Sequence, residues 1–288
     1  MYLPIELLDA HVLITVKTYP LPSNKYDELV CTAGLLPNGK WIRIYPVPFR
    51  ALPYAKQYKK YEWIGLDLAR NISDFRPESY RPRRGLDEFI QIMGEIGTAN
   101  DWEQRKSYAL KEVFTSMGEL VRLAKGEQKR SLGTLKPAEI IDFVIEPDER
   151  EWKQEWRAQL QQYNLFDLDD KGQGKERRVV SKLPYKYSYK FLSFGDTKPR
   201  MLMIEDWEVG ALYWNCLRRS KGDEIEANRL VRQKYFDEFL AQKDVYLFLG
   251  TTKQYHNVSP NPFVIIGVFY PPKPKITDSE NAQQLSLF

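Results

Sequence analysis

Three carboxylates follow the short apolar segment 200–204, and they are the strongest catalytic candidates in the sequence. Glu205, Asp206 and Glu208 lie where a predicted strand ends and a predicted helix begins. A carboxylate in this position can bind a metal ion or act as a base that activates water. Asp206 also fits the N-cap of the following helix, and Glu208 would favour its positive end. Catalysis and capping therefore both remain open for Asp206.

Two kinds of hydrolase on DNA are compatible with these carboxylates. A metal-dependent nuclease also needs a Glu/Asp-x-Lys triplet on a neighbouring strand, but residues 196–198 (DTK) fall in a predicted turn and 151–153 (EWK) on a predicted helix. A glycosylase needs a carboxylate and an aromatic pocket for a flipped base. Trp207, Tyr213 and Trp214 lie beside the cluster. The sequence favours the glycosylase, which requires no cofactor, whereas the nuclease would require a divalent metal.

Basic and aromatic residues suggest contacts to nucleic acid in three places. The loop 74–84 contains two prolines and four arginines, and arginine suits phosphate. The strand 185–191 alternates strictly, so its aromatic residues share one face and its lysines the other. Its aromatic face fits a hydrophobic core better than a stacking platform. The candidate nucleic-acid-binding residues, including one histidine in a late loop, are Arg76, Tyr80, Arg81, Arg83, Arg84, Lys186, Lys190 and His256.

Composition limits the class of protein. The chain has 288 residues, a net charge of +4 and 14% aromatic residues, which permits nucleic-acid binding without requiring it. Two cysteines and two histidines provide neither a disulfide framework nor a cysteine-rich zinc site. No apolar run is long enough to cross a bilayer. We therefore expect a cytoplasmic protein without a membrane partner.

The elements that must position these residues predict an α+β fold. Strands are expected at 10–18, 61–70, 139–147, 184–194, 200–204, 244–250 and 262–270, with a hairpin at 28–45 around Asn38-Gly39. Helices are expected at 86–97, 101–125 with Asn100 or Asp101 as N-cap, 149–162, 206–219 and 223–242. The hairpins favour a mixed, mainly antiparallel sheet packed by several helices. We expect one globular domain over 1–270, with a possible helical insertion at 86–130.

The segment 271–288 differs from the rest of the chain in composition. Residues 271–283 are rich in proline and polar residues, so they cannot bury enough apolar surface to fold, and a disordered tail is expected. Apolar side chains reappear in the last five residues of the segment, which are Gln284, Leu285, Ser286, Leu287 and Phe288. The alternative is that these side chains pack against the protein's own surface.

The sequence Gln-Leu-Ser-Leu-Phe resembles the peptide by which bacterial DNA polymerases and mismatch-repair factors bind the β sliding clamp. The resemblance covers five residues, all of which match the pattern. It implies that Gln284 bonds at the rim of the clamp pocket and that Leu285, Leu287 and Phe288 fill it.

Together these features predict a bacterial DNA-processing or DNA-surveillance protein that the clamp recruits to replicating DNA. Repair or anti-phage defence on damaged or modified bases is the preferred setting. A non-catalytic DNA-binding or replication-regulating module that occupies the clamp is the alternative, and a metal-dependent nuclease is a further one.

Overall fold

The computed structural model describes residues 3–22, 28–83, 90–153 and 180–274 of the chain. Three predicted features lie outside these ranges: Arg84, the tail motif 284–288, and residues 154–178 of the segment 149–178. Within the described residues the fold is α+β, as predicted, with mainly antiparallel sheets packed by helices.

The first half of the chain forms one sheet around a tight hairpin. Its strands are β1 Glu6–Lys17, β2 Leu21–Pro22, β3 Glu28–Leu35, β4 Trp41–Val47, β5 Glu62–Arg70, β6 Ser79–Pro82 and β7 Gln91–Glu95. β3 and β4 pair across the predicted turn, where Gly39 has a φ of 83°. That conformation favours glycine, and a Cβ there would lie 2.4 Å from Lys111.

Five of these strands close into a barrel, because β1 pairs with both β3 and β5. The order around the ring is β1, β3, β4, β6, β5 and back to β1. β4 and β6 are parallel, and the other neighbours are antiparallel. This order, in which the third and fifth barrel strands are parallel, is that of the OB-fold barrel. Its buried cluster is mainly aliphatic and includes Val12, Ile14, Ile42, Ile44 and Leu68.

The second half contains two further sheets and most of the helices. Its strands are β8 Val113–Phe114, β9 Leu132–Leu135, β10 Glu139–Pro147, β11 Tyr185–Leu192, β12 Arg200–Met203, β13 Tyr246–Thr251 and β14 Phe263–Phe269. The sheet orders are β10-β11-β12 and β14-β13-β9-β8, and a parallel bridge between Ile204 and Ile265 joins them. Because of this bridge, the chain just after β12 lies beside β14, the edge strand of the other sheet.

Three of the five helices in the described residues begin at a side chain that caps them. The five are α1 Ala99–Ala109, α2 Met117–Lys125, α3 Trp207–Arg219, α4 Glu224–Arg232 and α5 Phe239–Gln242, the last two joined by the π-helical segment Gln233–Glu238. Ser116, Asp206 and Asp223 each accept a hydrogen bond from a backbone N–H of the first turn. None of the helices among the described residues has the length and apolar character to span a membrane.

The two halves share one apolar interface. The outward side chains of the barrel, among them Leu13, Ala33 and Trp41, pack against Phe248 and Ile266 of the second half. The ring centroids of Trp41 and Phe248 are 5.1 Å apart. OB-fold barrels commonly bind ligands on the outer face of their second and third strands. In this chain those strands are β3 and β4, and the second half covers that face.

Several helix predictions were wrong. The helix predicted for 86–97 is replaced, in its described part, by β7, which pairs with β5. The helix predicted for 101–125 is divided, because Val113 and Phe114 pair with β9 and Ser116 starts a new helix. Asn100 and Asp101 are not N-caps: they and Trp102 have φ between 50° and 66°, so the right-handed helix begins after them.

Most strand predictions are confirmed. The strand predicted at 184–194 is β11, and its tyrosines at 187 and 189, with Phe191, are buried in the core as expected. The predicted segment 200–204 corresponds to β12, which pairs antiparallel with β11. The helix predicted at 206–219 corresponds to α3, with Asp206 as its N-cap.

Candidate functional site

A group of charged side chains lies where the end of β1 meets the start of α3. Lys60, which precedes β5, bonds both carboxylate oxygens of Asp206 at 2.8 Å and lies 3.1 Å from the Glu208 carboxylate. The backbone brings these residues together, because Thr18 forms a bridge with Asp206 and Tyr19 N–H donates to the Glu205 carbonyl. We call Lys17, Lys60, Asp206 and Glu208 the junction cluster.

Burial differs sharply within the junction cluster. The Asp206 side chain is 0% exposed and the Lys60 side chain 8%, whereas the Glu208 side chain is 44% exposed. Burial alone would disfavour the Lys60 ammonium, but Asp206 and Glu208 outweigh it and raise the pKa of Lys60 above its usual range. Burial raises the pKa of Asp206 to about 6, against the opposing effect of Lys60. Glu208 is therefore the carboxylate of the cluster that solvent reaches.

Lys17 lies at the aromatic edge of the junction cluster. Its ammonium is 4.4 Å from the ring centroid of Phe49 and 5.6 Å from that of Trp207, and it donates to the Tyr58 carbonyl at 3.1 Å. Burial, reinforced by the charge of Lys60, lowers the pKa of Lys17 to about 8. An amine with this pKa is partly neutral near physiological pH, so it can accept a proton or attack an electrophilic carbon.

The geometry separates the three carboxylates that the sequence proposes for catalysis. The Asp206 carboxylate is occupied by Lys60 and by the Glu208 N–H of the helix cap, so it holds the structure together and does not face solvent. Burial raises the pKa of Glu205, whose backbone bonds Ile265 and Tyr19. Only Glu208 combines exposure with neighbouring amines. We therefore keep Glu208 as a catalytic candidate and assign Asp206 to capping and pairing.

A second polar group joins the loop 71–78 to the end of β13. Asp74 bonds the Arg76 guanidinium at 2.6 and 2.9 Å, and Arg76 also donates to the Thr251 carbonyl. Arg43 of β4 donates to Ser131 Oγ at 2.8 Å. All of these side chains are buried. We call the set Arg43, Asp74, Arg76, Ser131, Thr251 and His256 the anchor network.

His256 attaches a surface loop to this network. Its Nε2 lies 2.9 Å from the Ala124 carbonyl, and its Nδ1 lies 2.7 Å from Thr251 Oγ1. A carbonyl can only accept, so Nε2 carries the proton and Nδ1 accepts from the hydroxyl. Burial lowers the pKa of His256 and keeps it neutral. The ring edge also contacts Phe75 at 5.1 Å between centroids. The loop 252–259 is thereby held against α2.

These positions change the predictions for nucleic-acid contacts. Arg76 and His256 are 6% and 0% exposed and bonded inward, so neither is available to a phosphate or base. Tyr80 is also buried, and its hydroxyl donates to the Pro4 carbonyl, which excludes stacking on a base. In this structure each of these three side chains instead completes an interior that the sequence does not reveal.

The remaining predicted cations of the described residues are exposed but lie on different elements. Arg81 and Arg83 are on and after β6, and Arg83 lies 3.4 Å from Glu6. Lys186 and Lys190 face outward from β11 as predicted, and Lys186 pairs with Asp148 at 3.2 Å. The segments 74–79 and 255–257 do meet, through Phe75 and His256, but the acidic segment 205–208 bonds a different set of residues. The predicted residues therefore form at least two separate regions.

A groove of about 460 Å³ opens between the two halves of the chain. Its lining includes Trp41, Glu78, Lys111, Glu112 and Arg130. Arg130 and Glu112 form a two-pronged ion pair, with N–O distances of 2.6 and 3.1 Å, and Glu78 bonds Ser131 of the anchor network. Both carboxylates thus have partners, Glu112 in the groove wall and Glu78 beneath it.

The residues that sequence reasoning missed are basic ones inside the protein. They are Lys17, Lys60 and Arg43, which lie on or near barrel strands. The partners of Arg43 are 88 and 208 positions away in the sequence, and the partner of Lys60 is 146 positions away. Lys17 ends β1 directly after an apolar stretch, and this is the one local signal that points to it. Among the described residues, His, Cys, Asp and Glu do not form a group of three that could hold a metal ion.

The comparisons with known proteins divide the chain near residue 112. Residues 113–288 match the family described as Domain of unknown function (DUF8757), and residues 9–111 match Domain of unknown function (DUF8758). The first match covers more than half of the chain, which therefore belongs to the DUF8757 family. No curated protein matches the sequence. The division falls between β7–α1 and β8, and both the junction cluster and the anchor network connect its two sides.

Proposed function

We propose that this chain is a DNA-processing or DNA-surveillance protein that the bacterial β sliding clamp recruits to replicating DNA. The observation that carries the proposal is the sequence Gln284-Leu285-Ser286-Leu287-Phe288, in which all five positions fit the clamp-binding pattern. Residues 275–283, which precede it, are polar apart from Ile276 and Ala282. Such a stretch suits a tether rather than a core.

The energetics of the motif suit recruitment. Each large apolar side chain that enters a pocket contributes roughly 1.5–3 kcal/mol. Ordering of the peptide offsets part of this gain, so we expect micromolar affinity, about 8 kcal/mol. A contact of this strength is reversible, and the tether raises the effective concentration of the globular part near the DNA that passes through the clamp.

The proposed reaction is hydrolysis at a damaged or modified base, with Glu208 as the acid or base. Glu208 lies next to two amines, and Trp207 and Phe49 provide aromatic surface beside Lys17. A partly neutral lysine and an accessible carboxylate supply the two proton-transfer groups that this chemistry uses. We assign no metal ion to this reaction.

Clamp binding is tested by titrating purified clamp with the full-length chain and measuring affinity by calorimetry. Replacement of Leu287 and Phe288 by alanine should weaken binding at least tenfold. Replacement of Ser286 by alanine is the matched control within the same motif and should leave the affinity within about twofold. Failure of the wild-type chain to bind the clamp would remove the main support for the proposal.

A non-catalytic reader or replication regulator is the second candidate function. The observation that favours it is the complete burial of Asp206 and its pairing with Lys60, which is what a structural contact between two halves requires. Glu208→Gln and Lys17→Met in the clamp-competent chain separate the two functions. Loss of base release from modified DNA in these variants supports the enzyme, whereas clamp and DNA binding without any product in the wild type supports the reader.

A further inference from the structure

The covered barrel face raises the question of where a DNA strand would bind. The outer face of β3 and β4 carries Trp41 and Arg43, but Trp41 packs on Phe248 and Arg43 bonds Ser131. A strand therefore cannot follow the route that OB-fold barrels commonly provide. The surface around the anchored loop 252–259 offers another route.

This surface presents cations that make no ion pair with a carboxylate among the described residues. They are Lys125 of α2, Lys129 of the loop after it, and Lys253 of the anchored loop, and all three are exposed. Lys125 reaches over to the Asn257 carbonyl at 3.1 Å, and Lys129 lies 5.6 Å above the Phe75 ring. In contrast, Arg83 and Lys186 elsewhere have their own acidic partners.

The same loop exposes side chains that could contact bases. Tyr255 is 52% exposed and Val258 is 74% exposed, although both flank the fully buried His256. An exposed aromatic ring on a fixed backbone provides a face on which an unpaired base stacks. The anchor network fixes this backbone through His256, so Tyr255 is presented without ordering of the loop on binding.

The cationic surface is continuous with the groove. Gln128 and Arg130 line the groove, and Lys129 lies between them in the chain. Pro77 and Glu78, two and three residues after Phe75, line it as well, and the Phe75 ring lies under the Lys129 ammonium. Lys111 adds a further cation to its wall. A strand that contacts Lys125 and Lys129 can therefore extend into the groove.

We propose that the surface formed by Lys125, Lys129, Lys253 and Tyr255, together with the adjoining groove, binds a single strand of DNA. The lysines contact phosphates and Tyr255 stacks on a base, while the groove receives the neighbouring nucleotides. Single-stranded DNA fits better than a duplex, because only unpaired bases offer a free face to Tyr255. This inference rests on the proposed function, since it supplies the strand-binding surface of the same clamp-recruited protein.

The test measures binding of a labelled single-stranded DNA 20-mer to the full-length chain by fluorescence anisotropy over a range of salt concentrations. The triple variant Lys125→Gln, Lys129→Gln and Lys253→Gln should lose at least tenfold in affinity. Each lost phosphate contact lowers the log–log salt slope by about 0.7, so the slope should fall by about 2. Tyr255→Ala should weaken binding by about tenfold and leave the salt slope unchanged.

The matched control removes the same charge from distant surfaces. Lys198→Gln, Lys221→Gln and Lys273→Gln replace three exposed lysines, and Lys221, like Lys129, has a positive φ, so any backbone effect is matched. The affinity of this control variant for the single-stranded DNA should stay within about twofold of the wild type. Equal loss in the control, loss only in Lys186→Gln with Lys190→Gln, or tighter binding of duplex DNA or of RNA would each overturn the proposal.

Clamp affinity is measured on the same proteins, so the two proposals fail separately. A wild-type chain that binds the clamp but no single-stranded DNA overturns the strand-binding surface and leaves recruitment intact. A chain that binds single-stranded DNA through these residues but ignores the clamp supports the surface and contradicts recruitment.

Discussion

The junction cluster and the anchor network both bury charge between the two halves of the chain, but they satisfy it differently. In the junction cluster, the Lys60 ammonium is held by the carboxylates of Asp206 and Glu208. In the anchor network, Arg43 donates to hydroxyl and carbonyl oxygens, and of its two arginines Arg76 is the one paired with a carboxylate, that of Asp74. The first depends on one buried ammonium that two carboxylates share, whereas the second distributes its bonds over many groups.

This difference has a consequence for function. The anchor network uses its buried groups to hold a loop, and the cations above that loop make no ion pair with a described carboxylate and so remain able to bind a ligand. The junction cluster instead pairs most of its charge internally, and only Glu208 and Lys17 remain at its edge. We therefore assign binding to the surface above the anchor network and proton transfer to the edge of the junction cluster.

The largest expected effect is the loss of the Lys60 ammonium, which pairs with both Asp206 and Glu208. Lys60→Met leaves the Asp206 carboxylate buried without its partner, which should lower the free energy of unfolding by about 4 kcal/mol. Denaturant titration followed by circular dichroism measures this change. Because Asp206 also caps α3, the destabilisation should be accompanied by early loss of helical signal.

A double variant separates the ion pair from the cap. Asp206→Asn removes the charge but retains a good N-cap residue. Lys60→Met combined with Asp206→Asn should therefore recover at least half of the stability that Lys60→Met loses. If the double variant is as unstable as the sum of the single variants, the two side chains do not act as a pair and the comparison is wrong.

The anchor network should tolerate a single loss somewhat better. Arg76→Met removes the guanidinium from Asp74, but Ser79 still bonds that carboxylate at 2.6 Å. We expect a loss of about 3 kcal/mol in the free energy of unfolding. Arg81→Met, on the exposed face of the same strand region, is the control and should change stability by less than about 0.5 kcal/mol. Similar values for the two variants would contradict the buried role of Arg76.

The next smaller effect is the contribution of Asp74 to the free energy of unfolding, which should be lost in acid. Although burial opposes it, the hydrogen bonds from Arg76 and Ser79 lower the pKa of Asp74 from 3.8 to about 2. A carboxyl group with a lowered folded-state pKa stabilises the protein above its unfolded pKa, and this contribution is lost as the pH falls from about 4 to about 2. It corresponds to about 2 kcal/mol at neutral pH.

The measurement compares wild type with Asp74→Asn over this acidic range. Unfolding free energies of the wild type should fall more steeply between pH 4 and pH 2, so the two curves converge as the acid protonates Asp74. Parallel curves across this window would mean that Asp74 titrates normally and that Arg76 does not hold it.

The sequence predicted the elements whose signals are local. Asn38 and Gly39 marked the hairpin, the alternation from 185 to 191 marked a strand with a buried aromatic face, and Asp206 was recognised as a possible N-cap. In each case neighbouring residues alone determine the structure. The α+β class followed from these elements.

The sequence could not predict which charged residues are buried. The sequence predicts that Arg76 contacts nucleic acid because it lies in an arginine-rich loop, and His256 because it lies in a loop between two core strands. Their partners Thr251 and Ala124 lie on other elements. The helix expected over 101–125 failed for a similar reason, since Val113 and Phe114 have helical spacing but pair with β9. Long-range pairing decided these cases, and spacing in the sequence does not report it.

The smallest effect concerns Lys17, whose replacement should raise the free energy of unfolding, whereas the replacements of Lys60 and Arg76 should lower it. Burial lowers the pKa of Lys17 to about 8 from 10.5, so its ammonium destabilises the folded state below pH 8. Lys17→Met keeps an apolar stem against Phe49 and should raise the free energy of unfolding at pH 7 by on the order of 1 kcal/mol after screening by solvent.

The pH dependence of this gain gives the sharper test. As the pH rises through 8, Lys17 loses its proton in the folded wild-type protein, so the ammonium no longer destabilises the fold. The unfolded chain keeps this proton until about pH 10.5. The advantage of Lys17→Met should therefore shrink above pH 8 and vanish near 10.5. A residue that lowers stability is retained where it performs chemistry, so the same variant should also lose base release. A variant that is less stable than wild type at pH 7 would place Lys17 with Lys60 among the structural groups.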